Sequence, residues 1–171
     1  MDRALQSTLD LLVGLPLCLI RKLLDKISFH FGEIRRPTTG GISGEHILSV
    51  QCPWRIDEFE KIVTGYSDHW SRIDDREGAI WSPDTGWLVH QGHALEQFVG
   101  PYHSEFDCFI VEKRALIVAS AIAEPMAGIV LDLSGGVFLR VFPSGAWGEQ
   151  WRLMLPNGRH FVVGDNRSYH E

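Results

Sequence analysis

Hydrophobic positions late in the chain fall in short, partly alternating runs. From Gly128 to Gly164 the sequence reads GIVLDLSGGVFLRVFPSGAWGEQWRLMLPNGRHFVVG, and Gly-Gly, Pro-Ser-Gly and Pro-Asn-Gly separate the runs. Such runs, cut by turn residues, predict successive antiparallel strands. The stretch from Ile27 to Gly65 follows the same plan, with ISFHFGE, a glycine-rich break, HILSVQCPWRI and KIVTG. Leu48-Ser-Val50 matches Leu139-Arg-Val141, Trp54-Arg55-Ile56 matches Trp151-Arg152-Leu153, and Ile62 to Gly65 matches Phe161 to Gly164. The Trp-to-Gly spacing differs by two residues, as in a diverged repeat. The expected fold class is α+β: two related antiparallel β units, about 27–65 and 115–164, forming one sheet or a pseudo-two-fold sandwich with one or two helices.

Elsewhere the pattern changes period. Leu5, Leu9 and Leu12 fall at helical spacing. Gly14 and Pro16 interrupt them, and Pro16 suits the first position of a second short helix with Leu17, Ile20, Leu23, Leu24 and Ile27 on one face. Residues 46–56 read as one strand in which Pro53 marks an edge or a bulge. Ser104 as a cap, Asp107 three residues on, and Phe106, Phe109 and Ile110 as a stripe predict a helix over 104–114, ending at Lys113 and Arg114. The apolar run 115–124 reads as a central strand, and 165–171 as a frayed polar tail. Residues 66–101 lose the pattern and read as a structured excursion from the scaffold, because Trp70, Trp81 and Trp87 argue against disorder.

A length of 171 residues fits one domain. The longest apolar run, Leu11 to Ile20, has ten residues, where a spanning helix needs about twenty. It lacks the basic flank and cleavage site of a signal peptide, so the chain reads as cytoplasmic, with no membrane partner. Cys18, Cys52 and Cys108 form no CxxC pair, and each sits among apolar neighbours, which predicts buried free thiols.

The net charge of −6 is unevenly spread. Residues 1–56 carry +2, residues 57–112 carry −9 and residues 113–171 carry +1. The acidity is thus concentrated in and beside the segment between the two units. With no basic stripe, nucleic acid is not an expected partner.

Motifs for chemistry are sparse. His90 and His93, with His103 ten residues later, are the nearest approach to a metal-ligand set, but the spacing is not that of a helical HExxH and surface histidines are the plainer reading. Asp68-His69 with Asp74-Asp75 lacks the glycine and alternation of a calcium loop and reads as a solvated acidic face. Ser134-Gly-Gly is no nucleophile elbow, and Cys52-Pro-Trp has no evident base. No phosphate-binding loop or dinucleotide fingerprint occurs, so no cofactor is expected. Arg55 and Arg152, each beside a tryptophan, read either as symmetric anion-binding groups or as stems lying over a core that Trp54 and Trp151 close.

The elements GLPL-x3-R, FHFGE, LSVQCPWRI and IVTGYSD, over residues 14–68, resemble a group of uncharacterised small bacterial proteins. The resemblance implies a bacterial origin and a compact α+β fold, and no activity or site.

Two functional expectations follow. The first is a non-catalytic protein whose acidic, tryptophan-bearing surface (Asp68, Trp70, Asp74, Asp75, Glu77, Trp81, Asp84 and Trp87) binds a basic protein partner, as an immunity protein binds a cationic toxin. The second is a metal- or ligand-dependent enzyme using His90, His93 and His103. A structural homodimeric subunit is the plainest alternative.

Overall fold

Each β unit lays a three-stranded meander in one sheet and sends its last hairpin into the other. The computed structural model describes residues 3–38, 40–69, 71–73, 80–82, 90–165 and 168–170. Helix α1 (Arg3–Leu9) leads into the first unit, which comprises β1 (Leu17–Leu23), β2 (Lys26–Phe31), β3 (His46–Val50), β4 (Trp54–Glu58) and β5 (Lys61–Gly65). A ribbon of β6 (Ser71–Ile73) and β7 (Ile80–Ser82) follows, then α2 (Gly92–Phe98) and the hairpin β8 (Tyr102–His103) and β9 (Cys108–Ile110). The second unit comprises β10 (Ser120–Ala123), β11 (Ile129–Asp132), β12 (Val137–Val141), β13 (Glu149–Met154) and β14 (His160–Gly164), with β15 (Ser168–His170) after it.

The described strands form an eight-stranded sheet, β15-β14-β13-β3-β2-β1-β9-β8, and a five-stranded sheet, β10-β11-β12-β4-β5. Exchanging the two units turns β14-β13-β3-β2-β1 into β5-β4-β12-β11-β10, so the topology is pseudo-two-fold. The register obeys the same exchange. Trp151 stands opposite Val50 and Leu153 opposite Leu48, just as Trp54 stands opposite Val141 and Ile56 opposite Leu139. Even the crossings correspond: Gln51 N donates to Gln150 O and Phe142 N to Pro53 O, both at 2.8 Å. The fold class read from the repeat is therefore the observed one.

Alternation explains the layering, because a period of two puts one set of side chains inside. Leu48, Val50, Trp54, Ile56, Leu139, Val141, Trp151 and Leu153 all enter one core between the sheets. Phe29 of one sheet meets Trp54 of the other edge-on, with ring centroids 5.3 Å apart. Each such burial stabilises by about 1.5–3 kcal/mol. The closing glycine of each unit has a steric reason. A Cβ on Gly65 would lie 2.8 Å from Trp54 O, and one on Gly164 would lie 2.7 Å from Gly148 O.

Several local expectations are corrected. The expected helix after Pro16 is strand β1, because its apolar run is buried on both faces. Leu17 and Ile20 enter the main core, while Cys18 and Leu19 join a second cluster with Ile42 and Cys108. A bulge between Leu17 and Leu19 hides the strand period. The expected strand over 46–56 is two strands, and Pro53 lies where the chain leaves one sheet for the other. The expected helix over 104–114 is a turn followed by β9, since Phe109 and Ile110 pair with Ile20 and Leu19 of β1, and Asp107 has φ 53°, outside the helical region. Of 115–124, only Ser120–Ala123 is a named strand, and it lies at an edge of its sheet rather than at the centre. Part of the expected frayed tail pairs with β14 as β15.

That edge is covered. Gln6 of α1 donates Nε2 to Ala121 O at 2.8 Å and accepts from Ala123 N at 2.9 Å, so its amide substitutes for a neighbouring strand.

Candidate functional site

The acidic segment leaves the sandwich at the end of β5 and returns at α2. Thr64 Oγ1 and Gly65 N both donate to Asp68 Oδ2 at 3.0 Å, which sets the exit direction. Gln91, buried to 2% exposure, donates Nε2 to Gly65 O at 2.7 Å. The two ends are thus tied together. α2 secures the return by burying Leu95 and Phe98, and the Arg114 guanidinium lies 4.2 Å from the Phe98 ring centroid while its Nη1 donates to Glu58 Oε1 at 2.6 Å. The result is a loop closed at its base.

Of the residues expected to bind a partner, Asp68 is a half-buried backbone cap at that base. Trp81 stands in β7 opposite Arg72. Trp70, Asp74, Asp75, Glu77, Asp84 and Trp87 lie outside the described residues.

The three histidines have separate surroundings. His90 is exposed, while His93 is exposed on α2 with Nε2 2.9 Å from Gln97 Nε2. His103, on β8, places Nε2 3.4 Å from Glu112 Oε1. Among the described residues no group of three or more His, Cys, Asp or Glu is arranged to hold a metal ion.

The thiols and the buried imidazole are held in their neutral forms. Burial pushes Cys18 up to about 11 and Cys52 up to about 12, and it raises Cys108 as well. Burial, helped by the Arg21 charge, lowers His30 to about 3. Its Nδ1 accepts from Gly44 N at 3.1 Å, and its Nε2 lies 3.0 Å from Ser28 Oγ. These groups hold the fold rather than react.

The Trp-Arg pairs divide their labour. Trp151 is fully buried, stacks on Phe161 and donates Nε1 to Ala127 O at 2.9 Å. The arginines lie on the outer faces, away from the tryptophans. Arg152 is closed off: Nε donates to Glu149 Oε1 at 2.8 Å, Nη2 to Glu149 Oε2, and Nη1 lies 3.2 Å from His160 Nδ1. Burial opposes ionisation of Glu149, but the hydrogen bond and charge of Arg152 outweigh it and hold the carboxyl below its usual range. Arg55 and Arg140 instead share Asp57, with both Nε atoms donating to Oδ2, at 3.1 and 2.8 Å.

A groove of about 440 Å³ lies under the 142–148 connection, lined by Met126, Pro143, Gly145, Ala146, Gln150 and Val163. This connection is longer than its counterpart at 51–53. Gln150 Oε1 pins it by accepting from Ser144 N at 3.2 Å and Gly145 N at 3.1 Å, and Trp147 is left 78% exposed. The greater length of this connection and its exposed Trp147, which has no counterpart in the first unit, mark this place in the sequence.

No family model, curated protein or solved structure matches the chain in comparison with known proteins.

Proposed function

We propose that this is a non-catalytic binding protein of the bacterial cytoplasm in which the sandwich is a scaffold and the loop over 66–90 presents an acidic, tryptophan-bearing surface to a basic protein. The partner class is a cationic toxin that binding would neutralise, as an immunity protein does. The observation that carries the reading is the Gln91–Gly65 bond at the loop's base. The pseudo-two-fold sandwich is complete in its strands without this segment, so no strand pairing of either sheet requires it. The segment has five acids against two arginines, a net −3, together with three tryptophans. Charge of one sign around aromatic anchors supplies both steering and contact energy.

The test compares wild type with the Asp74→Lys/Asp75→Lys double variant in capture from lysate of the native host at low salt. The expected result is one basic protein, released by moderate salt and lost, or at least tenfold weakened, with the variant. Equal capture of the same protein by the variant at low salt would remove the loop from the interface.

A further inference from the structure

Arg55 and Arg140 are direct cross-strand neighbours on β4 and β12, with both flanking positions of each strand turned into the core. They therefore sit side by side on the outer face of the five-stranded sheet. Like charges in that relation repel, and one carboxylate cannot neutralise two guanidiniums. Asp57 meets Arg55 Nε with both oxygens, at 2.9 and 3.1 Å, and Arg140 Nε with Oδ2 at 2.8 Å. Among the described residues this carboxylate is the only hydrogen-bonding partner of either guanidinium, and it meets them at Nε, so no described residue engages their Nη groups. Neither arginine is buried: their side chains are 42% and 29% exposed. Each guanidinium also lies beside an aromatic ring, Arg55 at 5.3 Å from the Phe142 centroid and Arg140 at 5.2 Å from that of Phe138. Anchored at Nε and packed against a ring, both forks are held in place before any ligand arrives.

The other half of the molecule supplies an internal comparison. Arg152 occupies in β13 the position that Arg55 occupies in β4, but Ser49 stands opposite it where Arg140 stands opposite Arg55. There one carboxylate serves one guanidinium, and His160 takes up a further nitrogen. At Glu149 one carboxylate faces one guanidinium; at Asp57 one carboxylate faces two, and among the described residues neither fork has a further hydrogen-bond partner.

We propose that Arg55 and Arg140 form an oxyanion-binding site that takes the phosphate or carboxylate group of a small ligand through their Nη groups. Asp57 sets the spacing of the two forks, and Phe138 and Phe142 flank the ligand's remaining atoms. The site uses no side chain of the acidic loop, although Arg55 stands opposite Gly65 at the loop's base, so the Arg140 and the Asp74/Asp75 variants decide its fate and that of the binding-protein reading separately.

The experiment follows the arginine side-chain Nε–H signals by NMR while inorganic phosphate, and separately acetate, is added to the intact protein at constant ionic strength. Saturable shifts are expected at Arg55 and Arg140, with a dissociation constant on the order of 1–10 mM, and Arg152 should stay still. Phosphate alone being bound assigns a phosphate ester, and acetate alone a carboxylate. Arg140→Ser, which recreates the one-to-one pairing of the other sheet, should weaken binding about tenfold or more. Arg140→Lys keeps the charge beside Asp57 without the fork and should also weaken it, so the test stands even if the serine variant fails to fold. Absence of saturation with both anions, equal shifts at Arg152, or undiminished binding by the Arg140 variants would overturn the assignment.

Discussion

Gln91 donates its buried side-chain amide to the Gly65 carbonyl, 2.7 Å across the mouth of the acidic loop. The bond joins residues 26 apart in the chain, and it decides whether that loop is a closed excursion or a slack linker. Gln91→Leu has similar volume but leaves the Gly65 oxygen unsatisfied, at a cost of about 1–3 kcal/mol. Most of that cost should fall on local opening. Limited proteolysis should therefore cut within 66–90 roughly tenfold faster, while far-UV circular dichroism of the sandwich stays unchanged. Cleavage no faster than wild type would show that the loop's base does not depend on this bond.

The two core tryptophans are pseudo-equivalent but not equal. Trp151 combines full burial with its bond to Ala127 O. No hydrogen bond from the Trp54 ring occurs among the described residues. Trp151→Phe should cost about 2–4 kcal/mol, a cavity together with an orphaned carbonyl, and Trp54→Phe about 1–2 kcal/mol less than that. Urea unfolding of the two variants checks the order, and equal losses would contradict it.

Gln6 protects the β10 edge. Gln6→Ala exposes Ala121 O and Ala123 N as a template for another strand, with a loss of about 1 kcal/mol. Light scattering at increasing concentration should show association beyond that of the wild type. A variant that stays monodisperse would mean that the packing of α1 alone covers the edge.

His30 makes stability depend on acid. Its folded value is depressed from 6.5 to about 3, so the unfolded chain takes up a proton there first. The contribution of this group is present in full above about pH 6.5 and is lost as the pH falls through that value toward 3. A few kcal/mol is at stake, at about 1.4 kcal/mol per pH unit. Melting temperature measured from pH 7.5 to 4 should fall in wild type and fall less steeply in His30→Gln. Parallel curves would place the acid sensitivity elsewhere.

The repeat was legible in the sequence because strand burial has period two. Once Trp54-Arg-Ile and Trp151-Arg-Leu are matched, core and outer faces follow, and with them the α+β class. Leu5, Leu9 and Leu12 likewise announced a helical start, and all three are buried. Neither the sheet that each strand joins nor the misread elements could be settled locally. β1 is a strand because Ile42 and Phe106 cover a face that its own window leaves open, and β9 is a strand because Leu19 and Ile20 offer it an edge. Helix propensity is worth tenths of a kcal/mol per residue, less than the burial and pairing that a distant segment provides. The Gln91–Gly65 clamp and the Arg55–Asp57–Arg140 cluster have the same origin. Arg140 reaches Asp57 across 83 residues of chain, and only strand pairing sets it beside Arg55. The sequence determined which residues face inward, and the tertiary structure decided which of the outward ones meet.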